Sequence, residues 1–335
     1  MAVSWTGWIG AAFLALGLAP PLQAQDALSF RIATGGSAGT YFPIGGLIAN
    51  AISAPAGSLP CDAGGACGVP GLTATAITTS GSVANVEAIA EGRLESAFIQ
   101  SDVATWAWSG TGIWAPRPPE DGLRAIANLY PESMHVVARA DSGIEAIADL
   151  VGKRVSLDEP GSGTLVEAQL ILAAMGIREA DLEARYLKTT DAADAMRAGS
   201  LDAFFFSGGF PARAITDLAN DLAITIVPFD EDATEVILVS HEFFTYDVIP
   251  AGVYPGVDED VWTIGVNAQW VTSADQPEAL VYDITRALWN DTTRRLLDGG
   301  HEKGRLIRLE TALDGVGIPL HPGAERFYLE IGLLQ

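Results

Sequence analysis

An α/β protein of two lobes, each a mixed sheet flanked by helices, with two hinge crossings between them, is the fold class that this 335-residue sequence predicts. Three observations carry that reading. The order strand, polar turn, helix recurs along the chain, as in parallel sheets with crossover helices. Two glycine-rich turns, Gly35-Gly36-Ser37-Ala38-Gly39-Thr40-Tyr41 and Glu159-Pro160-Gly161-Ser162-Gly163-Thr164, each follow a strand-like run and open a helix-like one, more than a hundred residues apart. Two further runs, Met134 to Arg139 and Val261 to Thr272, read as strands that leave the first lobe and return to it. The expected division is therefore 25–133 with 268–335 as lobe I and 134–267 as lobe II.

The first 24 residues run through Trp5, Trp8, Ile9, Phe13, Leu14 and Leu16 without a charged side chain and end Leu22-Gln23-Ala24. That is the pattern of an export signal with a small-residue cleavage site, although it lacks the usual leading Lys or Arg. Its apolar run is broken by Gly and Pro and is shorter than the roughly 20 residues of a membrane span. The expectation is a cleaved signal at 1–24 and a periplasmic chain. In that oxidising setting Cys61 and Cys67, in a loop of Ser, Pro, Gly and Ala, are expected to pair. Zinc would need four ligands, and no second Cys or His pair lies near.

After the signal, Leu28 to Thr34 reads as a strand and Tyr41 to Ile52 as a helix with Ile44, Leu47 and Ile48 on one face. Leu72 to Thr79 alternates Thr with apolar residues as a strand, Ser80-Gly81-Ser82 is a turn, and Val83 to Glu91 is a helix. Ser96 to Asp102 is a strand ending in polar residues. In the second lobe, Val151 to Leu157, Ala184 to Leu187, Ala203 to Phe206 and Ala223 to Val227 read as strands. Helices are expected at Val166 to Met175, ended by Gly176, at Ala192 to Ala198 and at Pro211 to Leu218. Pro277 to Trp289 is an amphipathic helix starting on proline. Ligands of such sheets sit outside the carboxyl ends of the strands, where these turns lie.

Hydrophobic residues make up 49% of the chain and charged ones 18%, enough apolar surface to exclude a disordered protein. The formal net charge of −23 argues against nucleic acid and anionic membrane surfaces as partners. An acidic protein still binds an anion where backbone N–H groups at helix starts supply local positive potential. The two glycine-rich turns, facing one another across a cleft, form such a clamp for a small carboxylate.

The residues Gly35 to Tyr41, Gly81 to Asn85, Gln100 to Ala104, Glu159 to Thr164, Asp202 to Phe206, Ile249 to Gly256 and Pro319 to Tyr328, in that order, resemble the TAXI-type receptors. These are the solute-binding subunits of one class of TRAP (tripartite ATP-independent periplasmic) transporter. The resemblance runs from about Ile32 to Gln335. It implies a type II-like periplasmic binding-protein fold that closes over its ligand and hands it to a TRAP membrane permease. It also implies glutamate, 2-oxoglutarate or a related organic acid as solute, and neither enzymatic activity nor a cofactor.

The expected ligand contacts are the amides of Gly39, Thr40 and Tyr41 and of Ser162, Gly163 and Thr164, with the side chains of Ser82, Gln100 and Thr164 completing the hydrogen bonds. Tyr41 packs on the carbon frame. Ser101 and Asp102 are further expected contacts, or with Gln100 only end a strand; Asp102 either holds a ligand amine or bonds a backbone N–H. Gly208 and Gly209, in a third helix-opening turn, complete the second lobe's side, while Phe204 to Phe206 form core. The same Gly35-Gly36-Ser37-Ala38-Gly39 also fits a hydrolase nucleophile elbow, with His301 or His321 as the base it would need. A ligand sensor for a signalling partner is a further alternative.

Overall fold

The computed structural model describes residues 1–3, 28–241 and 243–335, so residues 4–24 of the expected signal lie outside the described residues. The chain opens with β1 (Leu28–Ala33), α1 (Tyr41–Ile52), the two-residue strands β2 (Ser53–Ala54) and β3 (Val69–Pro70), and β4 (Leu72–Ile77). It continues through α2 (Ser82–Ala90), β5 (Ser96–Gln100), α3 (Ser101–Ser109) and the 17-residue β6 (Leu123–Arg139). Next come β7 (Arg154–Ser156), α4 (Gly163–Ala174), β8 (Glu183–Arg185), α5 (Thr189–Arg197), β9 (Ala203–Gly208), α6 (Arg213–Asp221), β10 (Ile224–Ile226) and α7 (Glu231–Ser240). The last elements are β11 (Thr245–Ile249), the 13-residue β12 (Val261–Ser273), α8 (Glu278–Leu288), α9 (Asp291–Gly300) and α10 (Pro322–Glu330). No helix among the described residues is long and apolar enough to cross a membrane.

One mixed sheet runs through the molecule in the order β4-β1-β5-β12-β6-β9-β7-β8, with β10 on β6 and β11 on β12. β1 is parallel to β4 and β5, and β7 is parallel to β8 and β9. Between these two parallel trios lie β12 and β6, antiparallel to each other and to the flanking β5 and β9. Both long strands are buried along most of their length because helices cover both faces.

Alternation along each strand feeds a core on either face. In β5, Phe98 joins Phe30, Ile44 and Trp270 on one side, while Ile99 joins Val86, Trp114 and Val271 on the other. In β9, Phe205 packs with Val136, Leu157 and Ile171, and its neighbours Phe204 and Phe206 pack with Met196, Ile215 and Tyr254. Three consecutive phenylalanines are thus divided between two cores, as a doubly covered strand requires.

Several elements differ from the sequence reading. The strand expected at 134–139 begins eleven residues earlier, at Leu123, and the strand expected to end at Asp102 ends at Gln100, where α3 starts. α4 starts at Gly163 rather than Val166, because the glycine turn itself supplies its first residues and Ser162 caps it, accepting from the Leu165 amide at 3.0 Å.

Cys61 and Cys67 are disulfide-bonded, closing the loop between β2 and β3. The loop is docked onto the second half of the chain by Asn290, whose Nδ2 donates to the Cys67 carbonyl at 3.2 Å. A Cβ on Gly68 would lie 2.3 Å from the Ile52 carbonyl oxygen, so the turn has no room for a side chain there. The double substitution Cys61→Ser, Cys67→Ser is expected to lower the unfolding free energy by about 2 kcal/mol, the chain-entropy value for so short a ring. Urea denaturation checks this, and an unchanged midpoint would show that docking alone holds the loop.

Candidate functional site

The carboxyl ends of β1, β4, β5 and β9 deliver their turns to one cavity of about 470 Å³. Of the residues expected there, Gly39, Thr40, Tyr41, Ser82, Gln100, Ser162, Gly163, Thr164 and Gly208 line it. Ser101, Asp102 and Gly209 are not among the lining residues. Ser101 and Asp102 turn inward with the first turn of α3 and are buried at 3% and 0% exposure. Gly209 presents its carbonyl to Thr40 instead of facing the cavity.

The start of α1 shows how the local sequence serves the site. Thr40 occupies the N-cap position but makes no side-chain cap. Its hydroxyl donates to the Gly209 carbonyl at 2.6 Å, joining the β1–α1 turn to the β9–α6 turn. Two backbone bonds tie further turns together: Ala214 N–H donates to the Ala38 carbonyl at 3.1 Å, and Ala84 N–H to the Gly161 carbonyl at 3.0 Å. The first amides of α1 are left without an intrahelical acceptor, as at any helix start.

Gln100 is the central side chain. Its Oε1 accepts from Ser82 Oγ at 3.2 Å, and its Nε2 donates to Ser207 Oγ at 3.0 Å. The Ser207 amide donates in turn to Thr164 Oγ1 at 3.0 Å. A chain of polar groups therefore runs from α2 through β5 to β9 and α4. Gly163 lies so close to it that a Cβ would fall 1.5 Å from Gln100 Oε1.

Beyond the expected residues, the cavity wall carries Glu132, Asp158, Lys188 and Phe206. Tyr41 Oη donates to Glu132 Oε2 at 2.9 Å. Burial pushes the Glu132 carboxyl up to about 8, against the pull of the Tyr41 hydroxyl, Lys303 and Gln100. Asp158, also raised by burial to about 7, sits in the left-handed region at φ 76°. So raised, both carboxyls are at least partly protonated at pH 7, and the protonated form presents a hydrogen-bond donor. Lys188 is the basic side chain among the lining residues, at the N-cap of α5. Phe206 shares the expected core role of its neighbours, yet its ring also faces Gly39 across the cavity, 3.6 Å from where a Cβ would be.

The hydrolase alternative needs a histidine free to act as base. His321 uses Nδ1 to accept from the Gly323 amide at the start of α10, and its Nε2 meets the Gln276 carbonyl at 3.0 Å. His301 accepts from the Lys303 amide through Nδ1, and neither residue lines the cavity beside Ser37.

The model of the NMT1-like family matches residues 32–332, nearly the whole described chain. The chain belongs to the NMT1-like family. Solved structures similar to this NMT1-like chain include a protein of Bordetella bronchiseptica RB50, with 16% identity over 90% of this chain and 82% of that one at a TM-score of 0.50. Others are the alkanesulfonate-binding protein SsuA of Xanthomonas axonopodis pv. citri bound to MOPS (16% identity, 91% and 85% covered, TM-score 0.48) and the aliphatic sulphonate binding protein SsuA of Escherichia coli (12%, 89% and 78%, 0.44). At such identities the likeness is one of fold: a central mixed sheet flanked by helices.

Sequence reasoning passed over Glu132, although it is the one acid in the otherwise uncharged run from Ala125 to Ala138. A lone carboxylate inside a buried strand is the signal that could have found it. Asp158 directly precedes the second glycine turn, and Lys188 precedes the Thr189-Thr190 start of α5. Neither has a motif of its own.

Proposed function

We propose that this protein is an extracytoplasmic solute-binding receptor of the TAXI type, exported by a signal at 1–24. It captures a small carboxylate such as glutamate, 2-oxoglutarate or a related organic acid and delivers it to a TRAP-type membrane permease. Its two lobes, 25–133 with 268–335 and 134–267, close by bending at β6 and β12. The observation that carries this reading is the meeting of four helix starts on one cavity: Gly39 to Tyr41 of α1, Gly81 and Ser82 of α2, Ser162 to Thr164 of α4, and Lys188 to Thr190 of α5. Two come from each half. Each contributes partial positive charge and first-turn amides without an intrahelical acceptor, so an anion is stabilised only when the halves are together. The hydroxyls of Ser82 and Thr164, the Gln100 amide and the protonated forms of Glu132 and Asp158 surround it with further polar groups. No step of bond chemistry is involved.

A thermal-shift panel of mono- and dicarboxylates tests the reading. A bound acid at 100 times its dissociation constant stabilises the fold by about 2.7 kcal/mol. If no acid in a broad panel moves the melting curve, the carboxylate assignment falls. For an acid that binds, Lys188→Ala is expected to weaken affinity by less than about tenfold, the range for one exposed charge against several helix starts. Titration calorimetry that finds a hundredfold loss would show that the lysine, and not the main chain, holds the solute.

A further inference from the structure

Asp102 on α3 and Glu167 on α4 come from opposite halves of the molecule and are buried at 0% and 1% exposure. All four of their carboxyl oxygens lack a hydrogen-bond partner. Glu167 lies three and four residues after Thr164 and Gly163, so it sits on the face of α4 that meets the first half, one turn beneath the cavity wall. Ser207, which bonds Gln100, lies close enough to influence the Glu167 carboxyl, and Asp102 follows Gln100 by two residues. The polar chain that joins the two halves is therefore underlain by a pair of acids from those same halves.

Among the described residues no cation acts on either carboxyl. Burial is the main influence raising both carboxyls. Asp102 is countered by its own and the Val103 amides, and Glu167 is raised further by Asp102 and Glu132 and lowered by Ser207. Of the elements packed on α3, β5 and β12 carry no charged side chain, and Glu87 of α2 and Glu91 just after it are ion-paired at the surface, with Arg117 and Arg93. Of those packed on α4, β9 has no charged residue and α7 has no Lys or Arg in its sequence; His241, just after α7, has its imidazole lowered by burial. Lys303 acts on Glu132 and Asp247 instead. His135, lowered by burial to about 3, stays neutral. Among the described residues no group of acids and histidines is arranged to hold a metal ion.

We propose that closing of the two halves loads a proton onto the Asp102–Glu167 carboxyl pair, so that solute and proton are captured together. The proposal rests on the two-lobe closure described above. Apart, the acids are wet and ionise as ordinary carboxyls near pH 4. Together, they cannot both carry charge without a counter-ion. A carboxyl raised in the closed form adds no penalty below about pH 4, where both forms are protonated. It then increasingly disfavours closure as pH rises toward the closed-form value, about 7 for Asp102, and the penalty levels off above it. Closure at neutral pH takes up protons and is favoured by acid.

Thermal melting and small-angle X-ray scattering of the solute-free chain from pH 5 to pH 9 test this on wild type, Glu167→Gln and Asp102→Asn. Either variant alone suffices if the other does not fold. At pH 5 the variants should melt close to wild type, and at about pH 8.5 roughly 3 °C or more above it. Wild type should have a larger radius of gyration at pH 8.5 than at pH 5, while each variant, which keeps only one of the two buried acids, should expand less. A melting difference that does not change with pH overturns the proposal, as does a wild-type radius equal at both ends or variants that expand as wild type does. No solute is added, so failure here leaves the carboxylate reading to its own panel.

Discussion

Gly163→Ala is expected to weaken solute binding by roughly 30- to 100-fold. The added Cβ would lie 1.5 Å from Gln100 Oε1, 2.7 Å from Gln100 Cδ and 2.9 Å from Ser82 Oγ, distances no packed atoms tolerate. Gln100 is 2% exposed and tied at both ends of its amide, to Ser82 and to Ser207. To make room it must give up those bonds, at about 1–3 kcal/mol for each buried group left unpaired. A loss of about 2.0–2.7 kcal/mol corresponds to the stated factor. The backbone itself does not object, since Gly163 is not among the glycines at positive φ and alanine suits a helix better than glycine. The clash is therefore with Gln100 and Ser82 across the cavity, not within α4 itself. Calorimetry with an acid that binds wild type measures it, beside Gly36→Ala, where a Cβ meets nothing within 4 Å. Binding by Gly163→Ala within threefold of wild type would remove Gly163 and Gln100 from the mechanism.

The second large effect concerns the frame. Trp270 on β12 is 0% exposed, donates its indole N–H to Ser96 Oγ at 3.0 Å, and meets the Phe30 ring edge-on at 6.5 Å between centroids. Trp270→Ala should lower the unfolding free energy by about 3–5 kcal/mol, the range for emptying an aromatic site in a packed core. For a chain whose whole margin is about 5–15 kcal/mol this is a large share. Trp270→Phe keeps most of the volume and loses the N–H, so its loss should stay near 1–2 kcal/mol. Denaturant midpoints at constant slope give both values. Equal losses for the two variants would mean that the hydrogen bond, and not the packing, is what β12 depends on.

How much of this was legible in the sequence follows from the kind of signal each part carries. The glycine turns and α1 were readable because glycine, serine and threonine between an apolar strand and an apolar helix have few other uses. The Phe204 to Phe206 run was readable as core for the same reason. The first half of β6 was not: Leu123 to Tyr130 is buried on both faces, so it lacks the alternation that marks a strand. α3 was hidden because Gln100-Ser101-Asp102 resembles a polar strand end, and only the packing of Trp106 beneath reveals a helix. Of the site, the backbone groups were legible and the acids were not. A turn is a local property, whereas Glu132 reaches the cavity only because β6 passes beneath Tyr41, ninety-one residues away in sequence.

The three-two-three arrangement of the sheet sets where any movement will be easiest to see. β4 and β8 lie at its two margins, seven strand spacings apart, or about 34 Å at 4.8 Å each. A few degrees of added coil in the central pair is barely a side chain's displacement at the solute, but it is magnified along this lever into several ångströms at the margins. Spin labels or dyes belong on those outer strands, far from the chemistry they report.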